Sequence, residues 1–114
     1  MTEARALTRN IRSSPRKMRL VIDLIRGKNA EEALGILQFA TQHAAVDARK
    51  TLRSAVANLM QKEEGIDERT IMVKAVYVNQ GTTLKRMLPA PQGRAYRMRK
   101  RSNHLTIIVA GSRS

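Results

Sequence analysis

The sequence predicts an α+β protein with one N-terminal strand, three helices and a long β-hairpin. Three observations carry this: apolar residues recur at helical spacing from Met18 to Leu59, the period changes to two from Thr70, and a Gly-, Pro- and Thr-rich stretch splits the C-terminal third into two strands. At 114 residues with 42% hydrophobic and 27% charged content, the chain reads as a single domain, 1–114, with a modest core.

Thr2 to Ile11 alternates loosely, with Arg5, Arg9 and Arg12 in and just beyond it, and reads as a short strand. Ser14 then supplies a helix cap, and Pro15 suits the first helical position because its missing N–H would be unpaired there anyway. Met18, Val21, Ile22 and Ile25 form one apolar face, with Gly27 placed to end the helix. A second helix begins after Asn29, with Glu32 in the capping-box position and Ala33, Leu34 and Leu37 as its apolar side. The third runs from about Gln42 to about Lys62, burying Ala45, Ala48, Leu52, Ala55, Val56 and Leu59, and Gly65 marks the loop after it.

From Thr70, strict alternation predicts Ile71, Val73, Ala75 and Tyr77 on one face and Met72, Lys74, Val76 and Val78 on the other. Residues 80–93 carry loop chemistry, and alternation resumes at Ala95 and continues through Leu105, Ile107 and Val109. The hairpin base is apolar and its distal half is basic. A globular body of about 1–78 and 103–114 and an extended hairpin of about 79–102 result. A strand from Thr70 to Leu84 would reach on the order of 50 Å at ~3.3 Å per residue, longer than a small body can cover. An isolated ribbon is marginal in water, so its outer half needs a partner.

Charge points to that partner. Residues 69–114 contain ten Lys or Arg and no acid, whereas all nine acidic residues lie between Glu3 and Glu68. The formal charge of +13 thus divides into +3 on the first 68 residues and +10 on the rest. Charge of one sign without internal counterions opposes the compact state unless a polyanion lies against it. Between nucleic acid and an anionic membrane, nucleic acid fits better. No apolar run approaches a membrane span, and the N-terminus lacks the apolar stretch of a secretory signal. A cytoplasmic location is the expectation.

The strongest local signal is Arg94, Arg97, Arg99, Lys100, Arg101 and His104. Strand alternation spaces Arg97, Arg99 and Arg101 at ~6.6 Å, close to the phosphate repeat of a nucleic-acid strand. Arginine forks pair bidentately with phosphate oxygens. The competing reading is a solvated edge that blocks sheet-to-sheet aggregation. Arg12, Ser14, Arg16, Lys17 and Arg19 make a second basic patch at the first helix, where backbone amides add anion donors; an ordinary solvated face is the alternative. Only Phe39, Tyr77 and Tyr96 are aromatic, too few for a base-stacking platform, so phosphate and shape recognition by Arg and Lys is expected.

Catalysis has little support. The absence of cysteine removes thiolate chemistry and Cys-based zinc sites. His43 and Asp47 sit at i, i+4 but lack a third convergent ligand, so a surface pair is the better reading than a metal site. No metal, cofactor or enzymatic activity is expected.

Ser13 to Val21, Leu24 to Lys28, Ala33 to Leu37, Lys85-Arg86, Gln92 to Ala95 and Lys100 to Ile107 together resemble the large-subunit ribosomal protein twenty-two family, bacterial type, in order along essentially the whole chain. The resemblance implies three helices packed on a small three-stranded antiparallel sheet, plus one protruding hairpin. It also implies binding to several segments of large-subunit rRNA during early assembly, with ribosomal proteins as neighbours. The hairpin tip would line the peptide exit tunnel and meet the nascent peptide. Carried onto this chain, the tip is Thr82, Thr83, Leu84, Lys85, Arg86, Met87, Leu88, Pro89 and Ala90, with Lys85 and Arg86 facing RNA or tunnel. Leu88 to Pro91 stands where a further Arg or Lys is common. No self-association is expected. The alternative is a free-standing basic protein binding many nucleic acids weakly.

Overall fold

The computed structural model describes residues 2–41, 43–80, 84–89, 95–100 and 102–113, with 84–89 and 95–100 described as backbone. In chain order the elements are β1 (Thr2–Ile11), α1 (Pro15–Ile22), α2 (Ala30–Phe39), α3 (Ala44–Lys62), a 3-10 turn (Glu68–Thr70), β2 (Met72–Gln80), β3 (Leu84–Pro89), β4 (Ala95–Lys100) and β5 (Asn103–Gly111). The expected α+β class, three helices and three-stranded antiparallel sheet are all present. The sheet order is β1-β5-β2, while β3 pairs with β4 in a separate two-stranded ladder.

The helices cover one face of the sheet. Val21, Ile22, Leu52 and Leu59 are buried with Val73, Val76, Leu105, Ile107 and Val109 in one core. Small residues on α3 (Ala45, Ala48, Ala55) permit the close approach, and all three are buried. β1 is an edge strand, and unpaired edges invite pairing with other chains. Here α3 covers that edge: Lys62 Nζ donates to Glu3 O (2.8 Å) and Asn58 Nδ2 to Arg5 O (3.0 Å).

Local sequence explains the helix starts better than the ends. Ser14 Oγ accepts from Lys17 N (3.3 Å), with Pro15 in the first turn. The expected run to Gly27 stops at Ile22. Leu24 N and Ile25 N donate to carbonyls three residues back, and Gly27 turns the chain at φ 75°. Ile25 stays buried as expected, but in this tightened turn. The cause lies downstream: Lys28 O accepts from Val73 N (2.9 Å) and Asn29 bridges Met72, so the chain must swing to β2. Asn29 caps α2 by accepting from Glu31 N (2.9 Å). The expected capping box is replaced by an ion pair of Glu32 with Lys28 (4.0 Å).

Two expectations for the second half are corrected. The alternation of β2 does not run unbroken. Val73 pairs with Val109 but Ala75 with Ile108, so Lys74 is an extra residue, a β-bulge that reverses which side chains face the core. Val73, Val76 and Val78 are buried, and Tyr77 faces out. A second bulge lies in β1, where Arg9 and Asn10 together stand opposite His104, and Asn10 adopts φ 57°. The second correction concerns residues 84–89, read from composition as loop. They form β3, because cross-strand pairing with β4 satisfies their backbone groups, and Pro89, which lacks an N–H, stands at the strand's last position.

The ladder lengthens the molecule. Its extents are 68 × 25 × 16 Å and its radius of gyration is 17.4 Å. A compact chain of this length would have a radius of about 13 Å.

Candidate nucleic-acid interface

The hairpin root and the start of α1 are fastened together by one buried side chain. Asn103 opens β5 fully buried, and its Nδ2 donates to Ser13 O (2.9 Å) and Ser13 Oγ (2.8 Å). One turn further on, Arg19 Nη2 reaches Val78 O (3.5 Å). The sequence-predicted group Arg12, Ser14, Arg16, Lys17 and Arg19 is therefore held beside the residues from which the hairpin leaves the body. His104 is at the same place, its Nδ1 accepting from Asn10 N (3.1 Å).

None of Arg12, Arg16, Lys17 or Arg19 forms an ion pair among the described residues, and Arg9 has none either. The acids are elsewhere. β1, β2 and β5 place Thr2, Met72 and Gly111 at one pole of the sheet and Ile11, Gln80 and Asn103 at the other. Asp23, at the end of α1, pairs with Arg26 (3.5 Å), while at the first pole lie Glu3, Glu31, Glu32, Glu63, Glu64, Asp67 and Glu68. There Glu3 pairs with Lys74, Glu63 with Arg113 (2.9 Å), and Asp67 with Arg69 (3.4 Å). Lys74 donates a hydrogen bond to Glu3 and, with its positive charge, holds that carboxyl below the usual carboxylate range. Only Asp47, in the first turn of α3, lies toward the hairpin pole. The asymmetry between sequence halves thus becomes a spatial one. At the acid-bearing pole Glu3, Glu32, Glu63 and Asp67 pair with nearby cations, whereas the basic residues of the hairpin pole form no ion pair among the described residues.

Beyond the root, the ladder continues the basic character. Arg97 and Arg99 occupy alternate positions of β4, and the register sets Lys85 opposite Arg99. Like charges directly opposite one another destabilise an isolated ladder, which an external polyanion would relieve. Lys100 closes β4 opposite Leu84, and Arg86 is paired with Met98. Arg94, Arg101, Thr82, Thr83 and Ala90 lie outside the described residues. Leu84, Lys85, Arg86, Met87, Leu88 and Pro89, expected at a looped tip, are instead the successive residues of β3.

Comparison with known proteins decides among families that could build such a pole. The sequence model of ribosomal protein L22p/L17e matches residues 6–110. This chain belongs to that family. It is 55% identical over 109 residues to the large ribosomal subunit protein uL22 of Chlorobium luteolum, covering 94% of this chain and 92% of the relative. The uL22 of Chlorobium phaeovibrioides is 54% identical and that of Chlorobaculum tepidum 51%, each with the same coverage.

As a member of the L22p/L17e family the protein is a structural component and not an enzyme. Among the described residues no cluster of His, Asp and Glu could hold a metal ion, and no helix is long and apolar enough to cross a membrane. His43 and Asp47 share no hydrogen bond there, so even the bland surface-pair reading is reduced to two separate polar residues. Sequence reasoning missed two features of the pole. Asn103 gave only the weak signal of a polar residue at the foot of an apolar strand, and the outward turn of Tyr77 was hidden by the bulge.

Proposed function

We propose that this protein is a structural constituent of the large ribosomal subunit that binds 23S-type rRNA and assists early assembly. Its location is then the cytoplasmic ribosome, with neighbouring ribosomal proteins as further partners. The observation that carries the reading is the un-neutralised basic pole at the hairpin root, in a chain whose family is ribosomal. Arg12, Ser14, Arg16, Lys17, Arg19 and His104 contact RNA at the root. Lys85, Arg86, Arg94, Arg97, Arg99, Lys100 and Arg101 contact it along the hairpin. The body, about 1–78 and 103–114, holds the hairpin, about 79–102, in register, and the distal hairpin with residues 82–90 lines the peptide exit tunnel, where it meets the nascent peptide.

The mechanism is charge neutralisation plus rigid placement. Each phosphate paired with Arg or Lys releases condensed counterions, so binding weakens as salt rises. With ~6–8 phosphates neutralised, log K should fall against log salt with a slope of about −5. Filter binding of large-subunit RNA over a salt series tests this, alongside a variant with Arg97, Arg99 and Arg101 all changed to Gln. The variant should bind more weakly with a shallower slope. A flat dependence in the wild type, or an unchanged slope in the variant, would reject the mechanism.

A further inference from the structure

The face of the sheet opposite the helices exposes Leu7, Met72 and Tyr77, and its hairpin end carries a group of side chains outside the phosphate contacts assigned above. The bulge at Lys74 turns Tyr77 onto this face, where it is 43% exposed although its neighbours Val76 and Val78 are buried. Tyr77 pairs across the sheet with Thr106, which pairs with Leu7, itself 46% exposed. The next row toward the hairpin is Asn79 opposite His104, with the exposed bulge residue Arg9 beyond.

His104 has a defined role in this row. Its Nδ1 accepts from the backbone N–H of Asn10 (3.1 Å), which leaves Nε2 as the ring nitrogen that can donate outward. No described residue bonds that Nε2, the Asn79 amide or the Tyr77 hydroxyl. The face therefore offers an aromatic surface, an imidazole donor, an amide that both donates and accepts, and an arginine without an ion pair. Directly opposed residues lie about 5 Å apart and diagonal ones ~7–8 Å, the scale of one nucleotide.

From this juxtaposition we propose that the open face at the hairpin root binds one unstacked nucleotide of the RNA. Its base stacks on Tyr77, His104 Nε2–H and the Asn79 amide hydrogen-bond to it, and Arg9 meets its phosphate. The proposal rests on the RNA-binding reading above and adds to it a base contact, the stack on Tyr77, that is insensitive to salt. A nucleotide fits this corner better than an apolar protein surface would. On its hairpin side the aromatic is followed by the unbonded polar groups of Asn79 and His104, with Arg9 beyond them, and the one carboxylate of this face, Glu3, is at the far pole, tied to Lys74. One tyrosine makes a single-base site, not the multi-aromatic platform that the composition excludes.

The test uses full-length protein and large-subunit RNA, with affinity measured across a salt series and stability followed by urea denaturation. Tyr77→Leu should bind roughly tenfold more weakly, the loss of one base–aromatic stack, with an unchanged salt slope. Tyr77→Phe keeps the ring and should bind like wild type, which separates stacking from any effect on folding. His104→Asn keeps an acceptor for Asn10 N, but its shorter side chain carries no donor out to the Nε2 position, and it should bind about threefold more weakly. Combined with Tyr77→Leu it should add little, because both act on one nucleotide. Wild-type affinity in Tyr77→Leu, with the steep wild-type slope intact, would overturn this site and leave the phosphate mechanism standing. A flat wild-type slope would instead remove the parent reading. Normal RNA affinity in Tyr77→Leu with lost incorporation into subunits would assign the face to a protein neighbour and also overturn the proposal.

Discussion

Replacing Asn103 by Asp would test the link between hairpin and body, because the change preserves volume and reverses only the chemistry of one atom. The Nδ2 group that donates to Ser13 O and Ser13 Oγ becomes a carboxylate oxygen that repels the Ser13 carbonyl and is left with the Ser13 hydroxyl as its one available donor. Asn103 Oδ1 is already buried without a partner among the described residues, so no donor waits there to stabilise the new charge. The bond to Ser13 O is lost at about 1 kcal/mol, and a buried charge without a cationic partner commonly costs about 3–5 kcal/mol, of which one hydroxyl bond offsets only a part. A loss of at least about 3 kcal/mol at pH 7 is expected. Burial raises the folded-state pKa of the new carboxyl above its unfolded value of about 3.9. The defect should therefore be smallest below that pH, where both states are protonated, and should grow as pH rises toward the folded pKa. Urea denaturation of variant and wild type at pH 7 and pH 3 reads both limits. Wild-type stability at pH 7 would show that the Asn103 amide has the opposite orientation or that Ser13 is not its partner, and the clamp would fall with it.

The packing of the body, its charge pairs and the hairpin each set a further outcome. A methyl group on Gly111 would lie 3.1 Å from Ile66 Cγ2 and Ile71 Cγ1 and 3.2 Å from Leu59 Cδ2, so Gly111→Ala should cost about 1–3 kcal/mol through overpacking. Gly35→Ala, in α2 with open space around it, should instead stabilise by about 0.5–1 kcal/mol, and equal signs in urea denaturation would contradict the packing around Gly111. Because the Glu3 carboxyl is held below its ordinary 4.5, any stability from its pair with Lys74 is present above that pH and lost as pH falls through the lowered value. Glu3→Gln should thus differ from wild type only above that window and only at low salt, which paired melts at pH 7 and pH 3 would check. Deleting Leu84, Lys85 and Arg86 should leave subunit incorporation near normal while changing macrolide sensitivity or the response to stalling peptides. Failed assembly with no tunnel phenotype would make this part of the hairpin an assembly anchor instead.

The α+β class, the helix starts, most of the core and the basic character of the hairpin were legible in the residues alone. Those properties are local. Ser14 and Pro15 set their own helix entry, the alanines and leucines of α3 recur at the spacing of their own backbone, and charge is additive. What spans two segments was decided only in three dimensions. α1 stops at Ile22 because Lys28 and Asn29 must meet β2. Residues 84–89 are a strand because β4 lies beside them. The bulge at Lys74 exists because β2 must register with β5, and a single inserted residue reverses every side chain after it, which is how Tyr77 came to face away from Val73. The gathering of the acids at one pole and the un-neutralised arginines at the other has the same origin. Antiparallel pairing returns the chain past its own beginning, and no window of sequence contains both ends.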